Sequence, residues 1–168
     1  KITVNWRGYK LQVESAAIGL KNVILITPLA ETKKGGRLAV IPEILWKRGN
    51  TLVVNTRSFV LASRDRAVEI ETYIEGELLE KKGKEFIVSL NSPIALCCGE
   101  AMSLEKATAF VKRQAQEFVT TNKKRFGENY DCYNAMQSVL AWDNIYDPSI
   151  RKVITPVSRI WSSEWFAS

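Results

Sequence analysis

The 168-residue chain contains no histidine, and this absence excludes several kinds of catalysis and metal binding. Ser-His and Cys-His mechanisms need an imidazole base, so neither is available. The three cysteines, Cys97, Cys98 and Cys132, lack the paired spacing of zinc ligands. We therefore expect no metal and no cofactor. Any chemistry must come from carboxylates, Lys, Arg, Tyr or Cys.

Long apolar runs and concentrated charge are also missing. No run approaches the roughly 18 apolar residues of a membrane-spanning helix, which predicts no membrane span. The net charge is +6, with 15 basic and 11 acidic residues in positions 1–100 and 9 and 7 in the rest. Nucleic-acid binding needs a concentrated basic patch. Because the positive charge is spread over both parts, we expect no nucleic-acid partner.

The first hundred residues carry the alternating pattern of β-strands. The candidate strands cover residues 2–6, 9–14, 23–26, 51–54, 58–61, 68–74, 85–90 and 94–98. Turn residues separate them at 34–37, 48–50 and 82–84, and we interpret 34–37 as a hairpin turn. Short strands at this spacing, without helices between them, predict an antiparallel β-sandwich domain over residues 1–100.

From Ser103 onward the apolar residues recur with a helical period. Ser103 is a suitable N-cap for a first helix, and Gly127 is a suitable end for it. A second helix is predicted from about residue 129 to about residue 145, and residues 151–168 are predicted to be loop-like with an extended piece at 153–155. The fold class is therefore α+β, with a helical segment over residues 101–168.

Two polar-aromatic clusters in this second part are candidate sugar-binding sites. Trp142 and Asp143 combine a ring with a carboxylate, as sugar recognition requires, although Asp143 near a helix end also fits an ordinary solvated residue. Arg159 and Trp161 are two residues apart, so in an extended segment they face the same side. Their alternative interpretation is structural stacking of Arg on Trp.

The acidic stretch over residues 69–80 predicts a solvated strand face. Calcium loops need a different, glycine-containing spacing, and this stretch does not match it. The basic segment at 33–37 lacks the pattern of a phosphate-binding loop.

The stretches AMQSVLAWDNIYDP (residues 135–148) and VITPVSRIW (residues 153–161) resemble the start of the catalytic barrel in bacterial glycosidases similar to glycoside hydrolase family 63 and the trehalase-like enzymes. The resemblance implies an N-terminal β-sandwich joined by helices to an (α/α)6 barrel. It also implies inverting hydrolysis of an α-glycosidic bond by two carboxylates and a water.

The family's acid and base lie further along its chains than Ser168 does here, so no catalytic residue is carried over. Trp142, Asp143, Arg159 and Trp161 are expected only as contributors to a sugar pocket. The implied partners are a carbohydrate and the remainder of the barrel or a second chain, and this segment alone is expected to be inactive. A periplasmic or secreted location is suggested by the resemblance only.

Two other classes of function stay open. A non-catalytic carbohydrate- or partner-binding sandwich would present exposed aromatic rings, for which Trp6, Tyr9, Trp46 and Tyr73 are available. A structural domain would use its helices for assembly. The position of the tryptophans near the C-terminus would distinguish these hypotheses.

Overall fold

The computed structural model describes residues 1–44, 49–63, 68–143, 145–147, 152–156 and 166–167. The chain divides into two compact units, Lys1–Gln116 and Glu117–Ser168. This boundary lies within a helix, and the assignment of domains to 1–100 and 101–168 stays a prediction.

The described residues of the first unit form two antiparallel sheets. The strands are β1 (Ile2–Trp6), β2 (Tyr9–Ile18), β3 (Lys21–Pro28), β4 (Arg37–Val40), β5 (Asn50–Val54), β6 (Ser58–Ser63), β7 (Val68–Glu75), β8 (Leu78–Lys82), β9 (Glu85–Ser89) and β10 (Ile94–Cys98). The larger sheet has the order β1-β2-β3-β10-β7-β6-β5, and the smaller has the order β4-β9-β8. The predicted antiparallel β structure is confirmed.

Apolar residues from both sheets form a core between them. Its buried members are Phe59, Ile74, Phe86, Val88, Leu90 and Ile94. Phe86 and Val88 come from β9 of the small sheet, whereas Ile74 and Ile94 come from β7 and β10 of the large one. The first unit is therefore a sandwich in which the small sheet lies on one face of the large sheet.

The other face of the large sheet packs against a helix, α1 (Leu104–Phe126). The buried residues of this second core are Val23, Leu25, Ala95, Cys97, Met102, Ala107, Phe110 and Val111. Neighbours such as Ile94 and Ala95 serve different cores because successive strand residues point to opposite faces. The apolar run at 23–26 is covered on both sides as predicted, since Ile26 packs against the first core and Val23 and Leu25 belong to the second.

Ser103 caps α1 as predicted. The Lys106 amide donates to Ser103 Oγ at 3.3 Å, and the Ala107 amide donates to the Ser103 carbonyl at 2.9 Å. The helix ends at Phe126, and Gly127 has a φ of 52°, as helix-terminating glycines do.

The interpretation of residues 34–37 as a hairpin turn was wrong. β3 pairs with β2 and β10, whereas β4 pairs with β9, so the segment crosses from one sheet to the other. Composition identifies a turn but not the sheet to which the next strand belongs. The strands β4 and β8 were missed because one is only four residues long and the other ends in Glu80, Lys81 and Lys82.

The second unit contains a short 3₁₀ turn (Gly127–Asn129), the helix α2 (Tyr130–Asp143) and the strands β11 (Ile145–Asp147), β12 (Lys152–Pro156) and β13 (Phe166–Ala167). These strands form a sheet of order β11-β12-β13. The predicted second helix was too long, because Ile145 pairs with Ile154 in this sheet. The predicted extended piece at 153–155 is confirmed, since it lies within β12, where β-branched Val153 and Ile154 favour the strand. The predicted loop was wrong at β13. The (α/α)6 barrel stays a prediction.

Across the described residues, the helices lack the combined length and apolarity that crossing a membrane requires.

Candidate functional site

The four residues expected to bind sugar are only partly described. Trp142 and Asp143 are the last two residues of α2, so Asp143 lies at the helix end, as predicted. Arg159 and Trp161 lie outside the described residues, as does Trp46. The sugar-binding role of these residues therefore stays a prediction.

A different group of residues forms a cleft around the hairpin of β1 and β2. Trp6 and Tyr9 are directly opposite in the strand register, and their rings stack with centroids 6.5 Å apart and an interplanar angle of 26°. Arg7 and Gly8 form the two-residue turn between them, with φ values of 49° and 84°. Positive φ at both central residues is the geometry of a type I′ turn, which suits the twist of a hairpin.

The cleft is lined by residues from both sheets and has a volume of about 520 Å³. Its lining consists of Val4, Trp6, Arg7, Tyr9, Leu11, Lys33, Arg37, Leu38 and Leu90. β1 is the edge strand of the large sheet, and its residues Ile2, Val4 and Trp6 are 62%, 37% and 59% exposed. These three alternate residues share one face of β1. The apolar face of this edge strand therefore stays open.

The segment between β3 and β4 forms one wall, and hydrogen bonds attach it to the hairpin. The Leu29 amide donates to the Lys10 carbonyl at 2.9 Å, and the Lys10 amide donates to Thr32 Oγ1 at 3.1 Å. Thr32 Oγ1 in turn donates to the Lys10 carbonyl. The Lys33 amide donates to the Gly8 carbonyl at 3.0 Å. Lys33 is thereby held beside the tip of the hairpin.

Gly36 provides the space in which the Tyr9 ring lies. A Cβ atom at Gly36 would collide with that ring and press on Leu90. The Leu90 amide also donates to the Gly36 carbonyl at 2.9 Å, so the backbone cannot easily retreat. The local sequence indicates that this glycine is part of a turn, but it carries no signal for the contact with Tyr9, which is 27 residues away.

All the charged side chains that line the cleft are positive. Its cations are Arg7, Lys33 and Arg37, and no Asp or Glu is in its lining. Arg7 Cζ lies 4.8 Å from the centroid of the Trp6 ring, which is a cation–π geometry. Among the residues that the structure describes, no carboxylate forms a salt bridge with any of the three. The cleft is therefore a positively charged surface with exposed aromatic area.

A second cleft, of about 580 Å³, is lined mainly by the same segment. Lys33 and Leu90 line both clefts, whereas Lys34, Thr32 and Asn91 line only the second. It contains no aromatic ring in its lining, which makes it the weaker candidate for sugar binding.

The acidic strand β7 contains a polar network instead of a fully solvated face. Ser58 Oγ donates to Glu71 Oε1 at 2.5 Å, and the Tyr73 hydroxyl donates to Glu71 Oε2 at 2.6 Å. Asn55 Nδ2 donates to Glu71 Oε1 at 3.4 Å. The Ser58 and Tyr73 hydrogen bonds lower the pKa of Glu71 below its ordinary value, and the Glu71 carboxylate raises the pKa of Tyr73. The expectation of a solvated face was thus wrong for Glu71, whose oxygens are occupied by internal donors.

The buried cysteine is not a candidate nucleophile. Cys97 is 0% exposed, and burial, with a smaller contribution from the Glu75 charge, raises the pKa of its thiol to about 11. The reactive species of a cysteine is the thiolate, so this thiol is inert at neutral pH. Among the described residues, no three Cys, Asp or Glu side chains lie together as metal ligands.

Comparisons with family models, with curated proteins and with solved structures gave no match to this chain. The interpretation of the cleft rests on its geometry alone. Exposed ring faces accept the apolar C–H faces of sugars, and guanidinium and ammonium groups donate to hydroxyl or acidic oxygens. Such a combination of ring faces and cations suits the binding of a polar ligand that also has apolar faces.

Proposed function

We propose that the chain is the N-terminal portion of a glycoside hydrolase that acts on α-glycosidic bonds of oligosaccharides. The observation that carries this proposal is the order of elements along the chain. Antiparallel sheets over residues 2–98 precede α1 and α2, and α2 contains the beginning of the stretch at 135–161 that resembles the start of a glycosidase barrel. The implied family has the same order.

In this proposal the sandwich braces a catalytic (α/α)6 barrel, and Trp142, Asp143, Arg159 and Trp161 contribute to its sugar pocket. The acid and base carboxylates belong to the remainder of the barrel. Hydrolysis proceeds with inversion, in which one carboxyl group protonates the leaving oxygen and the other activates a water.

The test compares this chain with the natural polypeptide, identified with antibodies against residues 1–116. We expect a polypeptide much heavier than 19.0 kDa that hydrolyses p-nitrophenyl α-glycosides but not the β-linked isomers. Proton NMR should show the inverted anomer as first product, and the 168-residue chain should be inactive. A natural polypeptide of only 19.0 kDa, or retention of configuration, would contradict the proposal.

A second candidate function, non-catalytic carbohydrate binding by the sandwich, is favoured by one specific observation. Trp6 is stacked with Tyr9 in the cleft and is 59% exposed. Both rings belong to the aromatic platform that this function requires, whereas Tyr73 is occupied by its hydrogen bond to Glu71.

A glycan array that includes neutral and acidic oligosaccharides tests the second candidate. We expect the full chain to retain at least one glycan and the variant Trp6→Ala to lose it. The variant Phe118→Ala is a suitable control, because Phe118 is also an exposed aromatic residue, at 48% exposure, but lies on α1. If the chain retained no glycan, or if both variants lost glycan binding equally, this proposed function would be contradicted.

A further inference from the structure

We infer that the cleft around Trp6 binds an acidic sugar, with its pyranose ring against the aromatic pair and its carboxylate among Arg7, Lys33 and Arg37. This inference deepens the second candidate function and depends on it. Carbohydrate binding alone needs only the rings, whereas the acidic specificity follows from the charges around them.

The three cations come from three separate parts of the fold. Arg7 is in the hairpin turn, Lys33 is in the segment between the sheets and Arg37 is the first residue of β4. No carboxylate is in the cleft lining, and among the described residues none forms a salt bridge with these cations. Three like charges on one small surface repel each other unless an anion lies between them. An anionic ligand would relieve this repulsion.

The turn provides an independent argument, because its sequence does not suit its conformation. A type I′ turn favours asparagine, aspartate or glycine at its first central position, yet the residue there is Arg7, with a φ of 49°. The chain therefore retains a long cationic side chain at a conformational disadvantage. That side chain lies over the Trp6 ring and lines the cleft.

The size of the cleft favours a short oligosaccharide over a polynucleotide. Its volume of about 520 Å³ is within the usual range for small-molecule sites, ~300–1,000 Å³. Single-stranded nucleic acid instead follows a groove that holds ~4–16 nucleotides. Two of the three cations are arginines, whose planar donor pairs match the two oxygens of a carboxylate.

The decisive experiment measures affinity for two ligands with the same sugar rings, one with free carboxylates and one with neutral methyl esters. Isothermal titration calorimetry of the full chain would use trigalacturonate and the methyl ester of the same trimer. We expect the ester to bind at least about tenfold more weakly, because each charge-assisted hydrogen bond becomes a neutral one. Affinity for the acid should fall as NaCl increases from about 0.05 to about 0.5 M, whereas affinity for the ester should change little.

Matched variants locate the site. Arg37→Gln should weaken trigalacturonate binding about tenfold and leave ester binding nearly unchanged, and Trp6→Ala should weaken both. Lys34→Gln removes the same charge from the neighbouring cleft and should have little effect. Since Trp6 and Arg37 are exposed, circular dichroism should confirm that each variant folds.

The possible outcomes distinguish carbohydrate binding from specificity for acidic sugars. Equal binding of acid and ester, weakened alike by Trp6→Ala, would overturn the acidic specificity and leave carbohydrate binding in place. If neither sugar bound, both would fall. Tighter binding of hexathymidylate than of trigalacturonate would overturn the inference and assign the cleft to nucleic acid. A loss in Lys34→Gln equal to that in Arg37→Gln would also overturn it, because the effect would then be general electrostatics.

Discussion

The two faces of the seven-stranded sheet are covered to different extents, one by α1 and the other by the three-stranded sheet. On one face α1 contributes Ala107, Phe110 and Val111 to a core in which the Cys97 thiol has no exposure. On the other face the three-stranded sheet buries Ile74 and Ile94 almost completely, but Trp6 is 59% exposed at the β1 edge. The difference shows that a covering layer narrower than the sheet leaves part of an apolar face available for binding.

Both faces come from the same alternating sequence pattern. Val4 and Leu11 are register partners on one face, yet Leu11 packs against the core while Val4 remains 37% exposed. Burial of an apolar side chain is worth about 25 cal/mol per Å² removed from water. The covered residues therefore stabilise the fold. The uncovered residues would contribute a similar free energy to binding if a ligand removed them from water.

The largest expected effect distinguishes the covered and uncovered parts of the small-sheet face. Phe86→Ala should lower the free energy of unfolding by about 3–5 kcal/mol, because Phe86 is 0% exposed and its loss leaves a cavity. The matched variant Trp6→Ala should cost no more than about 1 kcal/mol. Urea denaturation measures both values. Equal losses would show that the β1 edge belongs to the core and is not an uncovered part of the face.

A smaller effect of opposite sign is expected at the hairpin. Arg7→Asn places a residue that favours positive φ in the type I′ turn and should stabilise the protein by about 1 kcal/mol. The same variant should bind trigalacturonate more weakly. Lys10→Asn, in the adjoining strand, is the control for the change in charge. A decrease in the urea midpoint of Arg7→Asn would refute the idea that this turn trades stability for binding.

A pH-dependent effect is expected at Glu71, which accepts a hydrogen bond from Tyr73, a residue that packs against the helix-side core. The folded-state pKa of Glu71 is lowered from its ordinary value of 4.5, mainly by the Ser58 hydrogen bond. Its contribution to stability is therefore present above about pH 4.5 and is lost as pH falls through the lowered pKa. Glu71→Gln should flatten the acid decrease of the urea midpoint between about pH 5 and pH 3.

The control for this variant is Glu69→Gln, which removes an exposed carboxylate from the same strand. Parallel pH profiles for the two variants would show that the hydrogen bonds from Ser58 and Tyr73 contribute nothing specific.

The smallest effect concerns reactivity and should leave stability unchanged. In a Cys98→Ser background, a thiol reagent at pH 8 should modify exposed Cys132 rapidly and Cys97 only on unfolding. The reason is that burial excludes the reagent and raises the pKa of Cys97 to about 11. Cys132→Ser should abolish the fast phase. A fast phase that persists in this variant would show that the helix-covered face opens readily.

Local signals predicted the elements with regular patterns. Alternation located β1, β2 and β7, and the Ser103 cap and Gly127 bounded α1 closely. Local signals gave the wrong structure at the β3–β4 connection and at Ile145, because pairing with another strand determines the structure there. The resemblance directed attention to Trp142 and Asp143, so the Trp6 cleft was anticipated only as an aromatic platform and not as a charged site.

The sequence by itself determined which side chains share a face, because a period of two residues assigns alternate positions to opposite sides of a strand. It also determined the starting point of α1, since Ser103 satisfies a free amide of the first turn. Only the tertiary structure decided which faces are covered and that Lys33 and Arg37 meet Trp6. Contacts between residues about 30 positions apart depend on how whole sheets pack, and no local pattern encodes that packing.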